Sequence, residues 1–100
     1  MTTPKLGRTR KAKALRDEMV NGQPVRCYDI AGHPIDRYTV VYMAQRQGEI
    51  YECLGMNGAP FHPQGFCQHS TCTLGKHLGK RIAFAELPLD CQRAVLQDTD

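Results

Sequence analysis

Arg37-Tyr38-Thr39-Val40-Val41-Tyr42-Met43-Ala44 is the stretch on which the fold turns. Tyr38, Val40 and Tyr42 fall on one row of a strand, and Thr39, Val41 and Met43 on the other. β-Branched and aromatic side chains suit a pleated surface, and their presence on both rows marks a central strand covered on two sides. On its N-terminal side Ala31-Gly32-His33-Pro34 is turn chemistry, and Val25 to Ile30 sets Val25 and Cys27 against Arg26, Tyr28 and Ile30. On its C-terminal side Gln45 to Gly48 is a short polar connection. Glu49 to Met56 then returns with Ile50, Glu52 and Leu54 opposite Glu49, Tyr51 and Cys53. Connections this short make the three strands an antiparallel meander.

Further out the patterns change. Thr9 to Val20 has helical composition, with Ala12, Ala14, Leu15, Met19 and Val20 among long charged residues. Asn21-Gly22 suits a helix stop, because both residues tolerate the left-handed conformation. Residues 1–22 are therefore expected to be a basic helical arm, and 23–100 a single small α+β domain. Near the other end Lys80 to Phe84 offers a short edge strand. Glu86-Leu87-Pro88 opens a helix whose stripe of Leu87, Cys91, Ala94 and Val95 faces the sheet, with Leu89 and Leu96 widening it. The expected architecture is an N-terminal helix, a three- to four-stranded antiparallel sheet, a long ordered loop and a C-terminal helix packed on the sheet.

The chain has 100 residues, 41% of them hydrophobic, which suits one domain with one core. A chain this short buries a modest fraction of its surface, so a homodimer interface or a bound metal would add to its stability. No apolar run approaches the roughly 20 residues of a membrane span, so no membrane partner is expected. No hydrophobic stretch follows the basic start, which argues against a secretory signal. Cys27, Cys53, Cys67, Cys72 and Cys91 are irregularly spaced, and Cys27, Cys53 and Cys91 fall inside apolar patterns, as in a reducing cytoplasm. The net charge of +3 is concentrated in residues 1–20, where Lys5, Arg8, Arg10, Lys11, Lys13 and Arg16 face only Asp17 and Glu18.

Several blocks carry a resemblance. They are Arg26-Cys27-Tyr28-Asp29, Asp36-Arg37-Tyr38-Thr39-Val40-Val41, Leu54-Gly55-Met56, and Pro60-Phe61-His62-Pro63-Gln64-Gly65-Phe66 with Gln68-His69. Leu78-Gly79-Lys80-Arg81-Ile82, Leu87-Pro88 and Asp90-Cys91-Gln92 complete the set. Together they resemble a group of short uncharacterised proteins carried by bacteriophages, plasmids and bacterial genomes. The resemblance covers about residues 25–98 and leaves the basic segment outside it. It implies a place in the cytoplasm of a bacterial host cell and no specific chemistry. Cys67 stands where that pattern has glycine, which speaks against a metal role for it.

Asn57 to Gly79 is too long for a mere connector, and segments of this kind are usually functional or disordered. Phe61, Phe66, Leu74 and Leu78 are available to anchor it. Phe61, His62, Gln64, Phe66, Gln68 and His69 are the candidate contacts for a ligand or partner, since such a loop walls a pocket with rings and aims a few polar groups inward. The plainer reading is that Phe61 and Phe66 plug the core while His62, Gln64 and Gln68 satisfy loop backbone. Cys67, His69, Cys72 and His77 fall within eleven residues and offer the sulfur and imidazole ligands of tetrahedral zinc, in a spacing unlike the standard fingers. No other cofactor is expected. Arg8, Arg10, Lys11, Lys13 and Arg16 are candidate phosphate contacts, extended by Lys80 and Arg81 if these share a side. No aromatic interleaves them for base stacking.

Cys67 and His69 suggest a nucleophile and base, but on an extended loop their side chains are expected to point apart, with no third group to orient them. An enzyme is therefore not expected. The reading is a non-catalytic binding protein of mobile-element type that contacts a host macromolecule, an inhibitor of a host defence complex being one version. Nucleic-acid binding through the basic arm, and small-ligand or zinc binding through the 57–79 loop, are the alternatives.

Overall fold

The computed structural model describes residues 16–100. The elements are β1 (Glu18–Val20), β2 (Gln23–Asp29), β3 (Tyr38–Gln47), β4 (Ile50–Met56), β5 (Cys67–Cys72), a 3-10 turn (Lys76–Leu78), β6 (Lys80–Ile82), a second 3-10 turn (Phe84–Glu86) and α1 (Leu89–Asp98). They form one antiparallel sheet in the order β1-β2-β3-β4-β5. β6 lies beside β1 on the same edge of β2, opposite Cys27, Tyr28 and Asp29, while β1 lies opposite Gln23, Pro24 and Val25. The α+β class, the antiparallel sheet and the C-terminal helix thus agree with the sequence reading.

β3 is covered on both faces, as its two apolar rows require. On one face Tyr38, Val40 and Tyr42 join Val25, Cys27, Leu54 and Met56 beneath Leu87, Cys91, Ala94 and Val95. On the other, Val41 packs with Tyr28, Tyr51 and Cys53 under Leu78. Val25, Val40, Val41, Met56, Cys91 and Val95 have no exposed surface. Each buried side chain of this size contributes about 1.5–3 kcal/mol, so α1 is held mainly by the inward row that Val95 completes. At the end of the β2–β3 hairpin Arg37 grips Asp29 with two hydrogen bonds, of 2.8 and 3.2 Å.

Two parts of the sequence reading are corrected. Residues 18–20 are strand rather than the end of a helix, and the sheet therefore begins before residue 23. Asn21 (φ 49°) and Gly22 (φ 80°) make the two-residue turn between β1 and β2. Two successive left-handed residues match the twist of a hairpin, the other structure this dipeptide favours. The rest of the expected arm, with Arg8, Arg10, Lys11 and Lys13, lies outside the described residues.

The second correction concerns the long loop, which contains β5 and, together with β1, raises the sheet to six strands. Cys67 to Thr71 are exposed and Cys72 is half-buried, so this strand carries no apolar alternation to reveal it. α1 starts at Leu89, after Pro88, with Phe84–Glu86 wound as a separate turn. No helix among the described residues is long and apolar enough to cross a membrane.

Candidate functional site

What remains of the loop, residues 57–66, is organised by one side chain. Asn57 Oδ1 accepts hydrogen bonds from the backbone N–H groups of Ala59 and Phe66, both at 3.1 Å. The Asn57 N–H donates to the carbonyl of Phe66 at 3.1 Å, closing the loop at its base. Within it His62 N–H donates to Ala59 O and Gly65 N–H to His62 O, at 3.1 and 2.7 Å. A Cβ on Gly65 would lie 2.0 Å from the Ala59 carbonyl oxygen, so this fold of the loop needs glycine there. Cys91 of α1 donates its thiol hydrogen to the Asn57 carbonyl at 3.2 Å, tying the loop's first residue to the helix.

The ring of Phe61 is presented by this scaffold and stays 49% exposed. It borders a recess of about 280 Å³ between the start of β5 and the last turns of α1, with Leu54 and Ala94 as apolar wall and Cys67, His69 and Asp98 as polar rim. The strand register explains the grouping. Cys67 and His69 pair with Met56 and Leu54, which face the helix, whereas Ser70 and Cys72 pair with Cys53 and Tyr51 on the opposite face. Cys67 and His69 therefore share a face, contrary to the expectation that they point apart. A strand brings residues two apart to the same side.

Asp98 is the hub of the rim. Its Oδ1 accepts from His69 Nε2 and its Oδ2 from the Tyr42 hydroxyl, each at 2.6 Å. A carboxylate at a helix C-terminus is disfavoured by the dipole, and these two donors offset that cost. Burial, with the bond to Asp98, pushes the Tyr42 hydroxyl far above the ordinary tyrosine range, so it remains a donor. The Cys67 thiol is also pushed up, by burial first and by the Asp98 carboxylate second. A thiol so placed stays protonated at neutral pH, whereas a nucleophilic cysteine has its thiolate favoured by a neighbouring cation.

The other candidates fall in different places. His62 is committed to the loop, its Nδ1 accepting from Gln64 N–H at 3.1 Å, while the Gln64 side chain is exposed. Phe66 is half-buried, and neither Phe61 nor Phe66 belongs to the two groups of buried core residues, so neither plugs the core. Gln68 is exposed and lies one position from His69 on the strand, hence on the other face.

The four expected zinc ligands are divided by the sheet. Cys67 and His69 border the helix-side recess. Cys72 and His77 line a second recess of about 230 Å³ on the opposite face, with His33, Asp36 and Cys53. The set does not converge on one tetrahedral ion. Among the described residues no three or more His, Cys, Asp or Glu side chains are gathered to hold a metal.

Of the basic candidates, Arg16 and Arg81 meet at the β1/β6 edge, where Arg81 Nη2 donates to the Arg16 carbonyl at 3.2 Å. The Arg81 guanidinium also lies 5.5 Å from the centre of the Tyr28 ring. Lys80, its neighbour in β6, is exposed. Sequence reasoning missed Asp98, which reaches the recess from the end of α1, and Tyr42, the buried residue of β3 that donates to it. Comparison of the chain with protein-family models, with curated proteins and with solved structures finds no match.

Proposed function

We propose that the chain is a non-catalytic binding protein of mobile-element type, working in the cytoplasm of a bacterial host through contact with a host protein. Its contact surface is the 57–66 loop with the recess beside it. The observation that supports this reading is Phe61, a half-exposed aromatic ring held over an apolar-walled recess by a hydrogen-bonded loop. Rigid exposed aromatics lose little entropy on binding and anchor many protein interfaces. The recess, about 280 Å³, lies just below the roughly 300–1,000 Å³ of small-molecule pockets and suits one inserted side chain better than a whole ligand. The protonated Cys67 thiol favours contact over covalent chemistry. Inhibition of a host defence complex is one form such contact would take, by analogy with other small mobile-element proteins.

The test is recovery of a stable complex from bacterial lysate by the wild-type chain, by Phe61→Ser, and by Leu89→Ser as an exposed control on α1. Wild type and the Leu89 variant should retain the complex and Phe61→Ser should lose it. Equal recovery by all three would refute the assignment of the surface. A second reading, phosphate binding, is favoured by the meeting of Arg16, Lys80 and Arg81 on one edge. Its signature is an affinity for nucleic acid that falls steeply as salt rises.

A further inference from the structure

β5 ends the sheet. Among the described residues it pairs with β4 alone, through six successive residue pairs with no break in register. Its outer row of backbone N–H and C=O groups is thus presented along a regular strand, and five of its six residues are exposed.

The two edges of the sheet differ in what guards them. On the opposite edge β6 carries Lys80 and Arg81 and β1 carries Glu18, and charges on an edge discourage another strand from adding. β5 reads Cys67-Gln68-His69-Ser70-Thr71-Cys72, with no Lys, Arg, Asp, Glu or Pro. In a chain with 23% charged residues, this edge carries neither the charges nor the proline that usually guard one.

We infer that β5 pairs antiparallel with β5 of a second copy of this chain, joining two sheets into one across a two-fold axis. The choice of a second copy follows from the side chains. A two-fold axis normal to the sheet sets one residue opposite its own copy, so the strand must tolerate itself. With Ser70 at the centre, hydroxyl meets hydroxyl, Gln68 meets Cys72 and His69 meets Thr71. No like charges oppose each other, and uncharged hydroxyl and amide groups are suited to cross-strand hydrogen bonding. A partner strand chosen by charge would find no formal charge on β5 to recognise. Both α1 helices and both 57–66 loops then lie on the same face of the joined sheet. Six residues span roughly 20 Å, a short joint, so the dimer dissociates on dilution.

The experiment is sedimentation velocity with native mass spectrometry on the full chain in a thiol reductant, over a dilution series. Wild type should move from the 11.2 kDa of one chain to twice that mass as concentration rises. Ser70→Lys, which sets like charges face to face at the axis, should stay at one chain mass throughout while melting as the dilute wild type does. Lys80→Ser, on the other edge, should still dimerise. Hydrogen exchange on the wild type supplies a readout independent of folding defects in the variants: β5 amides should gain protection with concentration, and β6 amides should not. One chain mass for wild type at every concentration overturns the proposal. So does a Ser70→Lys dimer as strong as wild type, or concentration-dependent protection that maps away from β5. This pairing does not rest on the partner-contact reading, and the two assays fail separately.

Discussion

Replacing Asn57 with Ala removes the side-chain carboxamide and, with its oxygen, the two hydrogen bonds that hold the 57–66 loop to its base. The bond from Ala59 N–H is exposed, so water replaces it at little cost, about 0.5 kcal/mol. The bond from Phe66 N–H is part-buried, and leaving that donor unsatisfied costs about 1 kcal/mol. The variant should therefore lose about 1.5 kcal/mol. For a chain of this size that is a fall of about 6–12 °C in melting temperature. Asn57→Asp keeps an acceptor at the same position and should stay within about 0.5 kcal/mol of wild type. Thermal melts of the three proteins, with hydrogen exchange resolved at Ala59 and Phe66, provide the assay. An Asn57→Ala protein that melts as wild type, with both amides equally protected, would refute the argument that this side chain organises the loop.

Phe66→Ala should cost about 1–2 kcal/mol, less than the 3–5 expected of a fully buried ring, because Phe66 is half-buried and outside both core groups; urea unfolding reads the difference. Gly65→Ala should open the loop, since its Cβ would meet Ala59 O at 2.0 Å; faster exchange at His62 and Gly65 amides is the expected result. Alkali should destabilise the fold through its buried thiols. Burial pushes Cys27 up to about 12 and Cys91 to about 11, from an ordinary 9.0. Below pH 9.0 both states hold these protons and the contribution is fully present. Above it the unfolded chain releases them first, so stability falls as pH rises through the folded values, by up to about 1.4 kcal/mol per pH unit for each thiol. Melting curves of Cys27→Ala should show a shallower alkaline slope than wild type; an identical slope would contradict the assignment.

The parts of the fold legible in the sequence are those where burial writes a pattern. β2, β3 and β4 alternate because their side chains meet packed surfaces, and the α1 stripe records the face against the sheet. β5 writes no such pattern, since both of its rows are largely exposed, and polar residues at an edge look like loop. Asn21-Gly22 is ambiguous in itself: the left-handed conformation that closes a helix also makes a hairpin, and pairing of Glu18–Val20 with Gln23–Val25 decides between them. The candidate site was legible at Phe61 and His69 but not at Asp98 or Tyr42. Asp98 meets both His69 and Tyr42 only because the helix returns over the sheet. The zinc set had suitable chemistry and a small sequence span, and strand alternation separated it, an effect invisible until Cys67–Cys72 is known to be a strand.

The shared outer edge of β2 sets an order in time. β1 reaches it through a two-residue turn, whereas β6 reaches it only after the whole β3–β4–β5 segment has been laid down. Hairpins form in about 1–10 µs, while closing a long stretch of chain carries an entropy cost that must be met before its contacts reward it. The ribbon of adjacent hairpins is therefore the part to nucleate, and β6, followed by the Phe84–Glu86 turn and then α1, is the latch that closes last on the edge of β2. Interactions made that late act on the way out rather than on the way in. Truncation of Ile82 or Val95 should therefore speed unfolding more than it slows refolding, and equal changes in both rates would contradict that order.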